Sequence, residues 1–241
     1  MKVSLFIPCL TEHFYPQSGI SMVKVLKHFG ADVEYVEDQT CCGQPAFNSG
    51  YRDEVIPVAE KFIKLFKDKK YVVAPSGSCV AFVKHYYREL DINKNLEPEI
   101  QKLSEKIFEF TEFLTDILKI ESIDGEFNHK VTYHDSCHPL RELGIYNQPR
   151  KLIKSIKNIS FIEMEKPDTC CGFGGTFSVK YEDVSVAMVE RKCRYIEESG
   201  AEFCVGADSS CLMNIDGYLR KHKKKPKVIH IADLFAESLR L

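Results

Sequence analysis

The sequence lacks the features that mark nucleic-acid-binding and membrane-spanning chains. Its 33 basic and 35 acidic side chains leave a formal net charge of −2, so there is no general basic field to attract a nucleic acid. No apolar run approaches the roughly 20 residues that a membrane-spanning helix requires, and the apolar run at the N-terminus is too short for a signal peptide. We therefore expect a cytoplasmic protein, one that meets a membrane only through its partners.

Two common ligand motifs are also missing. The run from Gly172 to Gly175 does not complete a dinucleotide-binding G-x-G-x-x-G loop, because Phe177 stands at the last glycine position. No two cysteines show the C-x(2–4)-C spacing that zinc knuckles use. The chain therefore carries no motif for a nicotinamide cofactor and none for a zinc finger.

Cysteine, by contrast, is abundant. The chain has 10 cysteines, and disulfides are rare in a reducing cytoplasm. Cys41 and Cys42 are sequence neighbours, and their Cα atoms, about 3.8 Å apart, lie closer together than the usual disulfide range. Metal or redox chemistry is the better explanation.

Eight of the 10 cysteines follow a repeated pattern. A single cysteine stands 32 positions before the first cysteine of a Thr-Cys-Cys-Gly core in the first half and 33 positions before it in the second, and a further single cysteine follows each core. The members are Cys9, Cys41, Cys42 and Cys79 in the first half, and Cys137, Cys170, Cys171 and Cys211 in the second. Cys193 and Cys204 fall outside the pattern, and we expect them to be small apolar core residues. The pattern indicates an internal duplication.

Both halves alternate short β-branched or aromatic runs with amphipathic helical patterns, which predicts parallel βαβ units. The expected fold is α/β, with two three-stranded parallel units related by a pseudo-twofold axis. We place the first repeat at residues 1–95, a helical connector at 96–127 and the second repeat at 128–241. In this division the connector has no counterpart after the last cysteine of the second repeat.

The eight repeated cysteines fall at or just after the carboxyl ends of the predicted strands, where ligands of parallel sheets bind. Each half thus brings four thiols together, which matches the needs of an iron–sulfur cluster. Adjacent cysteines seldom fit one tetrahedral zinc ion, whereas they can bind two different irons of a cluster, so iron–sulfur is favoured over zinc. Gly43 and Gly172 would let bare backbone approach such a cluster.

At these residues the chain resembles the cysteine-rich CCG-domain family, in which Cys-x(31–39)-Cys-Cys-x(35–36)-Cys-x-x-Cys occurs twice. That family includes the heterodisulfide reductase B subunit and the iron–sulfur subunit of glycolate oxidase. The strings YHDSCH, CCGFGGTFS and GADSSCLMNIDG are most similar to its lactate-utilisation branch. The resemblance covers nearly the whole chain, and it implies that all eight repeated cysteines are cluster ligands.

The sequence departs from the family motif at one point in each half. The final Cys-x-x-Cys keeps only its second cysteine, and Ser76 and Asp208 stand where the first would be. The five-cysteine, non-cubane cluster of the heterodisulfide reductase branch is therefore not implied, and one 4Fe–4S cluster per repeat, two in all, is the simpler expectation. Ser76 and Asp208 are either additional oxygen ligands or N-caps of the helices that follow.

Two histidines flank Cys137. His134 and His138 are either groups that tune a bound cluster or deliver protons, or ordinary loop histidines bonded to the backbone. We retain His138 as the candidate beside the cluster.

Three classes of function remain open. The resemblance favours an iron–sulfur electron-transfer subunit, inactive alone, of a cytoplasmic complex that oxidises L-lactate to pyruvate. Its implied partners are two other lactate-utilisation-type subunits, one of them a ferredoxin-like iron–sulfur protein. Glycolate or another 2-hydroxy acid is an alternative substrate. The second class is a subunit whose cluster reduces a disulfide, as in the heterodisulfide reductases, and the third is a zinc-containing or metal-free protein of regulation or assembly.

Overall fold

The strands form two parallel sheets with the same order. The computed structural model describes all 241 residues. The strands are β1 Lys2–Leu5, β2 Asp32–Tyr35, β3 Val72–Ala74, β4 Ile107–Glu109, β5 Lys130–Tyr133, β6 Ser160–Phe161, β7 Phe203–Gly206 and β8 Lys227–His230. The sheets run β2-β1-β3-β4 and β6-β5-β7-β8, and every pairing is parallel. The predicted α/β class with two similar parallel units is confirmed.

The prediction of three strands per unit is wrong, because each sheet has a fourth. β4 lies inside the segment that we predicted as a wholly helical connector, and it pairs with β3 in the first sheet. β8 occupies the corresponding edge of the second sheet beside β7. The expectation that the connector has no counterpart after Cys211 is therefore wrong, because β8 corresponds to β4 of the connector.

Helices separate the strands and cover both sheets. They are α1 Cys9–Phe14, α2 Pro16–His28, α3 Gln44–Asn48, α4 Arg52–Phe66, α5 Gly77–His85, α6 Glu97–Lys106, α7 Phe110–Glu112, α8 Cys137–Glu142, α9 Asn147–Lys154, α10 Phe177–Lys180, α11 Glu182–Glu198, α12 Ser209–Lys221 and α13 Ile231–Ser238. A π-helical turn, Phe113–Ile117, continues α7. No helix combines the length and the hydropathy needed to cross a bilayer.

The apolar residues form three clusters arranged in layers. The largest lies between the sheets and takes residues from both halves, among them Leu26 of α2, Phe113, Leu152 of α9 and Phe235 of α13. A second cluster, which includes Phe62 of α4, covers the outer face of the first sheet. A third and smaller one, which includes residues of α11 and α12, covers the outer face of the second. The central cluster joins the two units into one body.

Each unit ends in a helix that packs on the other unit. α13, the last helix of the second unit, packs along α2 of the first, and α7 packs against α9 of the second. Polar contacts also join the two units at this point. Ser18 of α2 donates a 2.6 Å hydrogen bond to Asp233 of α13, and the His230 ring, just before α13, lies 3.1 Å from the Pro75 carbonyl oxygen. Because each unit packs a helix on the other, the cysteine-bearing edges of the two sheets lie next to each other.

Candidate metal centre

The four repeated cysteines of the first half lie on three segments at one edge of its sheet. Cys9 is the first residue of α1, just beyond β1. Cys41 and Cys42 lie in the loop between β2 and α3, and Cys79 is in the first turn of α5, beyond β3. β1 and β3 are neighbours, and the chain leaves them toward opposite sides of the sheet. This is the switch point at which open parallel sheets form their ligand sites.

A hydrogen bond between sulfur atoms joins two of these side chains, with Cys9 Sγ 3.6 Å from Cys41 Sγ. Hydrogen bonds from Cys42 and Cys9 lower the pKa of Cys41 to about 3. The bond to Cys41 raises the pKa of Cys9 and of Cys42, and burial adds to both shifts. The first set is thus a compact group of thiols with one readily ionised member, and the thiolate is the form that binds metals.

The second half repeats this arrangement. Cys137 begins α8, Cys170 and Cys171 lie in the loop before α10, and Cys211 is in the first turn of α12. Hydrogen bonds from Cys137 and Cys171 lower the pKa of Cys170 to about 2. A hydrogen bond from Cys171 lowers the pKa of Cys211 to about 5. The structure therefore brings together all four predicted cysteines in each half.

A glycine follows each cysteine pair in a conformation that disfavours other residues. Gly43 and Gly172 have φ angles of 98° and 79°. Their N–H groups each donate to the sulfur of the first cysteine of the pair, over 3.4 Å. A Cβ atom at either glycine would meet a neighbour within 3 Å, namely Val55 or the Ser185 carbonyl oxygen. Both N–H groups therefore stabilise a thiolate, and their approach to a cluster stays a prediction.

Both sets of cysteines line one cleft between the units. The cavity within the cleft has a volume of about 140 Å³, and all eight repeated cysteines border it. Small and polar side chains form much of the remaining wall, including Thr11, Gln44 and Asn48. The cysteine-bearing edges of the two sheets therefore lie close together.

Ser76 and Asp208 meet across the pseudo-twofold axis. They form an isolated antiparallel bridge, and the Ser76 hydroxyl donates to Asp208 Oδ1 over 2.7 Å. Ser76 also caps α5 by accepting a hydrogen bond from the Cys79 N–H. Asp208 stands at the N-cap position of α12 without capping it. It instead accepts hydrogen bonds from the N–H and hydroxyl of Ser78, in the first turn of α5, so it caps a helix of the other half.

His138 lies at the wall of the cleft and bridges the two halves. Its Nδ1 is 2.8 Å from Glu142 Oε1, and its Nε2 is 3.4 Å from Gln44 Nε2. The structure therefore places this candidate beside the cysteines, with both ring nitrogens already engaged.

The histidine that enters the second set of cysteines is His134. It is 1% exposed, and one of its ring nitrogens and the sulfur atoms of Cys171 and Cys211 all lie within 4.8 Å of one another. Neither of its ring nitrogens has a hydrogen-bond partner. An alignment of the two halves could have singled out His134 from the sequence, because it pairs this histidine with Phe6 of the first half.

The two cysteines outside the repeat lie in the core. Cys193 of α11 and Cys204 of β7 are both fully buried, and burial raises the pKa of each to about 12. They remain protonated at neutral pH and pack in the outer cluster of the second unit.

The donor groups fit a sulfur-rich metal cluster. Each set offers four thiols, the number that iron–sulfur clusters require. Beside the second set, both His134 nitrogens, the Ser136 hydroxyl and Asp208 Oδ2 are buried without partners. Orphaned polar atoms of this kind are rare in native proteins unless a bound group satisfies them. The residues present therefore suit a polar, metal-containing group at each set.

Comparison with known proteins gives the family. The model of the cysteine-rich domain CCG matches this chain twice, at residues 3–84 and 131–216. Lactate utilization protein A of Oceanobacillus iheyensis is 43% identical over 97% of this chain and 96% of that protein. The same-named protein of Halalkalibacterium halodurans is 44% identical over the same shares. A hypothetical protein from Helicobacter pylori shares the fold, with a TM-score of 0.65 and 12% identity; this chain, 99% of it aligned, covers 49% of that protein. The chain therefore belongs to the CCG cysteine-rich domain family, in the group of lactate utilization protein A.

Proposed function

We propose that this chain is an iron–sulfur electron-transfer subunit of a cytoplasmic complex that oxidises L-lactate to pyruvate. One observation carries the proposal: two sets of four thiols, gathered in the same way, border a single cleft. Two clusters that face one cleft suit the passage of single electrons. The 10 cysteines, all free, fit a reducing compartment.

The repeated cysteines would hold one 4Fe–4S cluster in each half. Such clusters store and release single electrons. Around them, the Gly43 and Gly172 N–H groups donate to cysteine sulfur, which stabilises negative charge on the ligands. The hydrogen bonds between Ser76 and Asp208 hold the last cysteine of each half against the other half. The chain's own residues thus fix two ligand sets at a constant separation.

The names of the relatives support lactate as the substrate and support the proposed partner subunits. Relatives that are 43% and 44% identical to this chain are named for lactate utilization, and this chain has no dinucleotide motif with which to accept a hydride. We therefore assign recognition of the substrate to the complex and electron passage to this chain. The proposed partners are two other lactate-utilisation-type subunits, one a ferredoxin-like iron–sulfur protein.

Metal analysis after anaerobic purification tests the cofactor. We expect a brown protein with iron and acid-labile sulfide, about eight of each per chain if both sets are filled. A colourless protein that contains zinc, or one without metal under strict anaerobiosis, would reject the iron–sulfur proposal and favour a role in regulation or assembly.

Reconstitution with the two partner subunits tests the substrate. L-lactate should reduce the clusters of this chain only when the partners are present, and pyruvate should form in step with reduction. Glycolate serves as the comparison. Faster reduction by glycolate would move the assignment to another 2-hydroxy acid, and reduction of the isolated chain by L-lactate would contradict a purely electron-carrying role.

The shared cleft supports a second candidate, the reduction of a disulfide. A disulfide bound in it would contact both cysteine sets at once. Reduction of a disulfide takes two electrons and two protons and yields two thiols. Addition of a small disulfide to the reduced, loaded chain would then change the EPR spectrum and release thiols in proportion to the electrons consumed. An unchanged spectrum would exclude this candidate.

A further inference from the structure

The two cysteine sets differ in the side chain that lies beneath them. Phe6 and His134 occupy the same position, each the first residue after the opening strand of its unit and three residues before its first cysteine. Phe6 is fully buried, and His134 is 1% exposed. The duplication thus places an aromatic hydrocarbon under one set and an imidazole under the other.

His134 has no hydrogen-bond partner outside the cysteine set. Its ring lies against Cys171 and Cys211, and neither nitrogen bonds to any other group of the protein. A buried polar group left in this state destabilises the folded protein. An anionic, sulfur-containing group on these cysteines would accept its N–H and offset that cost.

At a second pair of equivalent positions, the first unit again has an apolar ring where the second unit has a polar side chain. Phe62 is the eleventh residue of α4, and Lys192 is the eleventh residue of α11. In the first unit the rings of Phe62 and Phe6 are 4.7 Å apart and meet edge to face. Two apolar rings in the first unit therefore correspond to an imidazole and an amine in the second.

Lys192 is a buried cation without an anionic partner. It is fully buried, and its Nζ donates to the carbonyl oxygens of Lys166 and Pro167, at 3.2 and 2.9 Å. Pro167 is only three residues before Cys170, so this charge supports the loop that carries the cysteine pair. The nearby Asp135 is engaged with Arg150 instead, at 2.6 Å. A buried charge needs a compensating charge, and an anionic cluster on the second set would supply one.

We propose that the second site holds the more easily reduced of the two clusters, so that electrons within the chain pass from the first site to the second. This inference rests on the proposed function. Hydrogen bonds to sulfur and nearby positive charge raise the potential of an iron–sulfur cluster, because they stabilise the electron that reduction adds. His134 and Lys192 provide both at the second site, whereas Phe6 and Phe62 provide neither. In the step itself one electron leaves the reduced first site and arrives at the oxidised second, and no bond forms or breaks.

Redox titration of chains that keep a single site tests the proposal. Cys41→Ser should yield a chain that keeps only the second site, and Cys171→Ser a chain that keeps only the first. Iron and sulfide content is measured for each. EPR-monitored potentials should be higher for the second site. His134→Phe, which copies the first half, should lower the second site's potential by at least about 59 mV, equivalent to a tenfold change in the one-electron equilibrium constant. Lys192→Met should lower it as well.

The controls separate the hydrogen bond from packing. His134→Phe in the Cys171→Ser chain should leave the first site's potential unchanged. His134→Gln keeps an N–H donor and should retain most of the wild-type potential. Equal potentials at the two wild-type sites, or a second-site potential that His134→Phe and Lys192→Met do not change, would overturn the inference and leave the proposed function standing. A wild-type chain that binds no iron would overturn both.

Discussion

Glu109, the last residue of β4, is a buried carboxyl group. Its Oε2 accepts hydrogen bonds from the N–H and hydroxyl of Thr111 and from the N–H of Glu112, while Oε1 has no partner. Burial raises the pKa of Glu109 to about 8, although the hydrogen bonds to its carboxylate act to lower it. The group is therefore protonated in the folded protein at neutral pH.

This shift predicts that the protein loses stability as the pH rises. The folded pKa lies above the unfolded value, so the stabilising contribution of Glu109 is complete below about pH 4.5 and is lost as the pH rises to about 8. The slope from this group is at most about 1.4 kcal/mol per pH unit. Glu109→Gln should remove it and give a variant more stable than wild type at pH 9. Chemical unfolding at pH 5, 7 and 9 measures the effect, and identical pH profiles for the two proteins would contradict it.

Substitution of cysteines separates ligands from core residues. Cys41→Ser or Cys171→Ser should remove the cluster of one half and leave the other, because each set draws its thiols from one half. Cys193→Ser and Cys204→Ser should keep the full iron content and lose about 1–3 kcal/mol of stability, since each places a hydroxyl in the core. Iron per chain after anaerobic purification is the measurement. Loss of iron in Cys193→Ser would show that the ligand assignment is wrong.

At the scale of elements, the connector shows where sequence patterns mislead. Buried apolar residues recur at intervals of three and four through it: Ile100, Leu103, Ile107, Phe110 and Leu114. That spacing predicts one continuous helix. The chain instead forms α6, then β4, then α7, because Ile107–Glu109 completes the free edge of β3. Pairing with a distant strand overrode the local pattern, and only the tertiary structure contains that information.

The helix caps show the same limit. One of the two roles that the sequence left open for Ser76 and Asp208 was that of a helix N-cap, and both stand at an N-cap position. The sequence could not indicate that Asp208 would bond to the helix of the other half, because that bond depends on how the two units pack. The cysteine sets were predictable for the opposite reason. Strand ends of one parallel sheet converge wherever the strands form, so spacing alone placed four thiols together.

Removal of the crossing cap should weaken the contact between units. Asp208→Ala would leave the Ser78 N–H and the hydroxyls of Ser76 and Ser78 without their acceptor, and the free energy of unfolding should fall by about 1–3 kcal/mol. Asp183→Ala, at an exposed acid in the first turn of α11, is the control and should change stability by less than about 1 kcal/mol. Denaturant unfolding of the metal-free chains compares them. Equal losses in the two variants would mean that the crossing bonds contribute nothing specific.

At the scale of the whole molecule, the two units depend on each other. The central cluster takes residues from both, and the apolar face of α2, which includes Met22, Val25 and Leu26, packs against α13. The halves that the repeat defines in the sequence are therefore not separate folding units, although their strand orders match.

Division of the chain should expose this dependence. Residues 1–127 produced alone should bind a hydrophobic dye and self-associate, because the face of α2 has lost its cover. Co-expression with residues 128–241 should restore a soluble one-to-one complex. Size-exclusion chromatography and dye binding measure both results. A monomeric first half that unfolds cooperatively would contradict the prediction.

The packing of α13 on α2 also sets an order of events during synthesis. α13 spans Ile231–Ser238 and emerges from the ribosome after α1 to α12, yet it covers α2, which emerges early. The first four cysteines therefore emerge long before the helix that covers α2. We expect the nascent chain to carry open, reactive thiols until α13 has been made, and metal insertion to follow the packing of α13 on α2.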